Sequence, residues 1–294
     1  DLDANSGSNF TEQSILPYTL LVPSHPDVLV ESGEWSVSLI STAPIDASAT
    51  IVIKESGMGG PTLQVKLFFV LSDEVELTAE NSGDNPQFQG MIEKVTGIYA
   101  QAGIDFHVAE SIHINGDNAV RYGVLDSIDG DDSELAALLK LSGDTNERQV
   151  NIFLVEDIAV GNGRTRVAGA SGGVPGPPAI NGTARSGVAI NMSAFLQNGQ
   201  DSDATAITIA HEVAHYLGLY HTSEKSGAGE DADGFDHLGD TPECDIAQDM
   251  DGDGFLSVEE CSAADGNNLM FWTAASAPIE NIGISDGQST VLRK

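Results

Sequence analysis

The rhythm of apolar and polar positions changes near residue 60. Before it, Tyr18 to Val22, Asp27 to Val30, Trp35 to Ile40 and Ala49 to Ile53 are short apolar or alternating runs broken by Pro, Gly and Ser. Runs of this length and period predict strands, and together a small β-sandwich-like region over residues 1–60. The segment Ser56 to Pro61, SGMGGP, reads as a linker. Beyond it the pattern becomes α/β: a strand at Leu63 to Leu71, a helix at Pro86 to Ala102 ended by Gly103, and a second strand at Ile104 to Ile114. A short helix at Asp132 to Leu141 and a strongly apolar strand at Gln149 to Val155 follow. Residues 161–187 are rich in Gly, Pro and Ala and lack the spacing of a phosphate loop.

Helical periodicity is clearest from Asp203 to His221, where Ala206, Ala210, Val213 and Leu217 recur on one face and Ser202 or Asp203 can cap the start. His211 and His215, one turn apart, flank that apolar stripe and project from a common face, so they can grip one ion. Glu212 stands ~100° further round, beside the ion, a position suited to a general base. Gly218 permits the positive φ with which a helix ends, and the chain beyond it can bring up His221 as a third nitrogen. Three imidazoles and one open position suit a catalytic zinc, whose bound water has a pKa of about 7 and could pass its proton to Glu212. His25, His107 and His113 have no ligand-spaced neighbours and read as structural or surface residues.

The full run HEVAHYLGLYH, with its glycine and third histidine at fixed offsets, resembles the metzincin metallopeptidase signature. Thr222 follows the third histidine; LGDTP (Leu238 to Pro242), NNLM (Asn267 to Met270) and the near-terminal Gly287 and Gln288 are similar to the pappalysin branch. The match spans about residues 203–294. It implies an α/β (α+β) metzincin-like catalytic domain over 61–294, with a mixed twisted sheet and a zinc helix, preceded by the small all-β N-terminal region. It further implies that Met270 forms an apolar floor beneath the metal, that Arg166, Val167, Ala168, Gly169 and Ala170 form the edge strand that binds extended substrate, and that Ser186 to Met192 is the next strand inward. One departure stands out: the family places a tyrosine two residues after the Met-turn methionine, and here that residue is Trp272. Tyr216, Tyr220 and Trp272 are the candidates for the missing transition-state donor.

Formal charge is -33, from 12 basic and 45 acidic residues. It argues against nucleic acid and anionic membranes as partners, and no apolar run approaches the ~18 residues of a membrane span. A protein or peptide is the implied substrate; oligomeric state is not legible. Part of the acidity is patterned. Asp249 to Glu260, DMDGDGFLSVEE, satisfies the EF-hand loop: Asp249, Asp251 and Asp253 supply carboxylates, Phe255 a carbonyl, Ser257 a water-bridged contact and Glu260 two oxygens. Cys244 and Cys261 bracket this loop, and because the resembling class is extracellular they are expected to form a disulfide in a secreted protein. The calcium loop then becomes a structural insertion at about 244–261, since a closed bracket limits the helix opening a sensor needs. Calcium in the family also lies before this loop, where Asp233, Asp236, Asp240 and the Thr241 carbonyl are candidate ligands.

The expected activity is zinc-dependent peptide hydrolysis with Glu212 as acid/base. The competing expectation is a calcium-stabilised binding or adhesion protein that keeps an unproductive peptidase site, motivated by Trp272 and the β-rich first 60 residues.

Overall fold

The structure is a computed structural model, and it describes Thr19, Leu21 and residues 61–143, 148–177, 179–197, 202–227 and 236–293. The β-rich region expected over residues 1–60 thus lies almost wholly outside the described residues. Leu21 packs against the core beside Gly218.

A five-stranded sheet forms the centre. Its strands are β1 (Thr62–Val70), β2 (Asp105–His113), β4 (Val150–Val155), β8 (Val188–Asn191) and β7 (Gly169–Ser171), in the spatial order β2-β1-β4-β8-β7. All neighbours are parallel except β7, which runs antiparallel to β8. Near-continuous apolar runs are what a parallel sheet covered on both faces requires. Val65, Leu67 and Phe69 of β1 and Ile152 and Leu154 of β4 enter one core with α1 (Pro86–Gln101). Phe68, Val70, Phe153 and Val155, on the alternate positions, enter a second core with α3 (Glu134–Leu139). Phe68 and Phe153 stack there at 4.5 Å between centroids.

Local chemistry sets the helix ends. Asn85 caps α1 by accepting from the Gln87 and Phe88 N–H groups, Pro86 occupies the first turn, and Gly103 at φ 68° follows its end. Ser133 caps α3 in the same way, so this helix starts two residues later than the expected Asp132 and runs into a 3-10 turn at Lys140–Ser142. A helix α2 (Asp117–Tyr122), a single turn α4 (Val160–Gly163) and a second sheet of β3 (Val124–Leu125), β5 (Asp157–Ala159) and β6 (Thr165–Arg166) are additions to the expected elements. They are too short to show a period. After α5 (Ser193–Leu196) comes α6 (Ser202–Tyr216), the helix that carries His211, Glu212 and His215, and the described chain closes on α7 (Asp286–Leu292). Among the described residues no helix is long and apolar enough to cross a membrane.

The mixed sheet, the helices on its two faces and the antiparallel edge strand make the fold α/β, as expected of a metzincin-like domain. The edge itself is displaced. Arg166 pairs with Ala159 in the second sheet and forms an ion pair with Asp157 at 2.9 Å, while the Val167 N–H is taken by the Ile158 carbonyl. The strand lining the main sheet therefore begins at Gly169 and ends at Ser171 rather than spanning Arg166 to Ala170.

Candidate active site and metal centre

Burial fixes α6 against the sheet. Ala206, Ile207, Ile209, Ala210, Val213 and Ala214 are all core residues, and the buried Tyr99 hydroxyl of α1 donates to the Ala210 carbonyl at 3.0 Å. Lys94 of α1 reaches Ser202 and Asp203 in the first turn. Gly218, at φ 106°, ends the helix as its sequence position suggests, and the chain doubles back to bring His221 beneath it.

His221 Nε2 lies 3.1 Å from both His211 Nε2 and His215 Nε2. Each opposite ring nitrogen has its own partner: His211 Nδ1 the Leu269 carbonyl at 2.7 Å, His215 Nδ1 the Leu219 carbonyl at 2.7 Å, and His221 Nδ1 the Glu224 carboxylate at 2.9 Å. Carbonyls only accept, so Nδ1 of His211 and of His215 must carry the proton. Their Nε2 lone pairs then aim at one point. Three ligands ~2.0–2.1 Å from a tetrahedral zinc stand about 3.3 Å apart, close to the observed separations. Burial, with the neighbouring His221, pushes His211 down to about 3, and burial together with the adjacent rings lowers His215 as well, so both are neutral ligands near pH 7. The hydrogen bond from His221 holds the Glu224 carboxyl below its ordinary value. Glu224 was not identifiable as a partner from sequence; its i+3 offset from His221 was the only signal.

The carboxyl of Glu212 is buried, and burial pushes it up to about 8. It lies against Gly169, where an added Cβ would come within 2.6 Å of Glu212 Cγ. Glycine at this edge position lets the strand and the carboxylate approach.

Met270 is fully buried, its carbonyl accepts from the Thr222 N–H at 2.9 Å, and its own N–H donates to Asn268 Oδ1 at 2.8 Å. The residue after the third histidine is thus tied to the methionine turn. A cavity of about 420 Å³ opens over the site, lined on one side by Val167 to Gly169, Ser171 and Val174 and on another by Trp272 to Ala275, with His211, Glu212, His215 and His221 between. The Asn191 N–H bonds the Ala168 carbonyl and the Gly172 N–H bonds the Gly187 carbonyl. By the alternation of an antiparallel ladder, the main-chain groups of Gly169 and Ser171 face away from β8.

The three candidate donors are all engaged elsewhere. The Tyr216 hydroxyl is buried on the Pro177 carbonyl, the Tyr220 hydroxyl donates to Val174 O at 3.3 Å, and the Trp272 indole N–H donates to the Leu256 carbonyl at 2.8 Å. Packing of the Gly172 to Pro177 segment on Tyr216 accounts for the first, since a Cβ on Gly176 would overlap that ring.

Of the candidate calcium ligands, Asp249, Asp251 and Asp253 bring carboxylate oxygens within 4.8 Å of one another. Asp249 accepts from the Gly252 and Gly254 N–H groups, Glu260 folds back onto Met250, Asp251 and Ser257, and Gly254 at φ 85° makes the turn. The Phe255 side chain is exposed. Cys244 and Cys261 form a disulfide around this loop. In the preceding loop Asp233 lies outside the described residues. Asp236 is buried, takes a 2.7 Å hydrogen bond from Thr241 on Oδ1, and has an Oδ2 without a partner; burial pushes it up to about 6. Asp240 instead accepts from Ser285 Oγ and the Gly287 N–H at the start of α7, so its carboxylate serves that helix end.

Three imidazoles, two on an HExxH helix and the third beyond a glycine turn, converge so that one metal ion could be held with a position left open, the arrangement of a catalytic zinc site. Residues 140–274 match the family model described as Pregnancy-associated plasma protein-A, the peptidase M43 family, which shows the resemblance to the pappalysin branch over that stretch. Among solved structures, the archaemetzincin of Methanopyrus kandleri is similar at 14% identity and a TM-score of 0.37, over 54% of this chain and 76% of that one, a likeness too slight to bear on the site. No curated protein matches the chain.

Proposed function

We propose that this chain is a secreted zinc-dependent endopeptidase in which Glu212 is the general acid/base. The observation that carries this is the convergence of three Nε2 atoms whose Nδ1 positions are each committed to an acceptor. Zinc held there supplies Lewis acidity and an activated water. Glu212, against the edge strand, takes a proton and returns it to the leaving amine. Extended substrate pairs with the outward main chain of Gly169 and Ser171 by strand addition. Its course along the cavity then brings a peptide carbonyl over the triad.

Two structural calcium sites complete the reading. One is the Asp249–Glu260 loop; the other is centred on Asp236, whose buried unpartnered oxygen suits a hard cation. The division into an accessory region over 1–60 and a peptidase domain over 61–294 is part of the same proposal, and extracellular location accords with the disulfide.

The alternative, a binding protein with an unproductive site, draws on the engaged donors at Tyr216, Tyr220 and Trp272. Incubation with denatured casein or gelatin decides between them. Cleavage that stops with a zinc chelator and in Glu212→Ala, while that variant keeps its zinc, supports the peptidase. No cleavage over long incubation supports the binding protein, and near-normal turnover by Glu212→Ala rejects the mechanism.

A further inference from the structure

Trp272 is half-buried and lines the cavity beside Thr273, Ala274 and Ala275. Its main-chain N–H donates to the Ser223 carbonyl at 3.3 Å, next but one to the third histidine. Its indole N–H donates to Leu256 O at 2.8 Å, and Leu256 N donates to the Lys225 carbonyl at 2.9 Å. Leu256 has a fully buried side chain and is the eighth residue of the Asp249–Glu260 loop. The loop's main chain therefore acts as a strut between the segment after His221 and the wall of the cleft. Lys225 reinforces the joint, with Nζ 3.7 Å from the Phe255 ring centroid and 5.7 Å from that of Trp272.

An indole whose only donor is already used cannot offer that N–H to a scissile carbonyl. What remains to it is a flat apolar face, held at one angle, in the wall of a peptide-sized cavity. We propose that Trp272 is a specificity-determining residue, its ring fixed by the Leu256 carbonyl so that it selects the substrate side chain lying beside the cleavage point. The complementary class is an apolar or flat side chain, for which ring contact with an aromatic face is favourable. This proposal rests on the peptidase reading above.

The test uses the zinc-loaded full chain. Trp272→Phe keeps a ring and removes the N–H, and Trp272→Ala removes the wall; zinc content and melting temperature report their folding. On a peptide library, Trp272→Ala is expected to lose preference for apolar residues at one position flanking the cut. Trp272→Phe keeps an aromatic wall but frees it from the Leu256 carbonyl, and is expected to weaken the same preference without abolishing it. A zinc-replete Trp272→Ala with the parent's cleavage profile and KM overturns the proposal.

A second measurement stands apart from turnover. The chain has two tryptophans, Trp35 and Trp272. In the Trp35→Phe, Glu212→Ala protein, emission from Trp272 alone is followed as a leucine-rich peptide from the library is added. A shift supports contact with the ring even if the parent cleaves nothing, in which case only the peptidase reading fails. Unchanged emission at the highest peptide concentration overturns the role proposed for Trp272.

Discussion

Asn268 and Gln288 exchange two amide hydrogen bonds, Asn268 Nδ2 to Gln288 Oε1 at 3.0 Å and Gln288 Nε2 to Asn268 Oδ1 at 2.9 Å. Asn268 Oδ1 also receives the Met270 N–H, and the intervening Leu269 carbonyl is the acceptor that orients His211. The closing helix thus reaches the zinc ligand through three short contacts.

Removing Gln288 should therefore affect both stability and metal. Gln288 is fully buried, so Gln288→Leu strands the Asn268 Nδ2 amide, while Oδ1 keeps the Met270 N–H, at a cost of about 1–3 kcal/mol. Thermal unfolding is expected to start several degrees lower. Competition with a chromogenic chelator should show zinc held less tightly, by under the ~10-fold that losing the outer partner of a ligating histidine costs at least, since the Leu269 carbonyl stays and loses only its brace. Zinc affinity equal to that of the parent would disconnect α7 from the site.

Gly169 gives a sharper probe of geometry. A Cβ there would sit 2.6 Å from Glu212 Cγ and 3.0 Å from Thr208 Cγ2, so Gly169→Ala must displace the carboxylate. Misplacing a catalytic group by about 1 Å can cost ~100-fold, and kcat should fall by that order while zinc content stays at the parent level. Steady-state kinetics beside metal analysis checks this; unaltered kcat would mean that Glu212 tolerates the shift and that its position is not critical.

The protonation of Glu212 predicts a pH effect in the metal-free protein. Its folded pKa, about 8, lies above its unfolded value of 4.5, so between these values the native state holds a proton that the unfolded chain has lost. Stability then declines as pH rises through that window. Glu212→Gln removes the penalty. Metal-free melting curves for parent and variant should be similar near pH 4.5 and diverge in favour of the variant up to pH 8–9, by a few kcal/mol at the order of ~1.4 kcal/mol per pKa unit. Parallel curves across the range would contradict the burial assigned to this carboxyl.

What could be read without coordinates was what repetition encodes. The doubly covered strands β1 and β4 declare themselves as apolar runs, and α1 carries its cap and its terminating glycine in sequence. The histidines and Glu212 follow from spacing on one helix. Contacts between distant segments have no such signature. Nothing in Gln288 points to Asn268, nothing in Leu256 points to Trp272, and the two-residue strand β6 draws Arg166 out of the expected edge through a pairing with β5 that no period announces. Asp240 likewise reads in sequence as a candidate calcium ligand, and nothing there announces that it accepts from the Ser285 hydroxyl and the Gly287 N–H at the start of α7.

The loop Asp249–Glu260 yields the last prediction. Three carboxylates whose oxygens lie within 4.8 Å repel one another, and their backbone hydrogen bonds offset this only in part. Hydrogen bonds from the Ser257 N–H and hydroxyl and from Met250 N–H hold the Glu260 carboxyl at about 2, so it is ionised. A calcium ion would relieve the repulsion and stiffen a loop already anchored by Cys244–Cys261 and by the main chain of Leu256. Adding calcium chloride to calcium-depleted, zinc-saturated protein should raise the melting temperature and slow proteolysis within this loop. Zinc content should not move. The gain scales with occupancy and reaches about 2.7 kcal/mol when calcium is about a hundred times Kd. Glu260→Gln removes one negative charge from the ligand set and should need markedly more calcium for the same rise, whereas the Asp236 site would respond equally in parent and variant. If millimolar calcium changes neither melting nor proteolysis, the loop is a solvated acidic turn held by its disulfide alone.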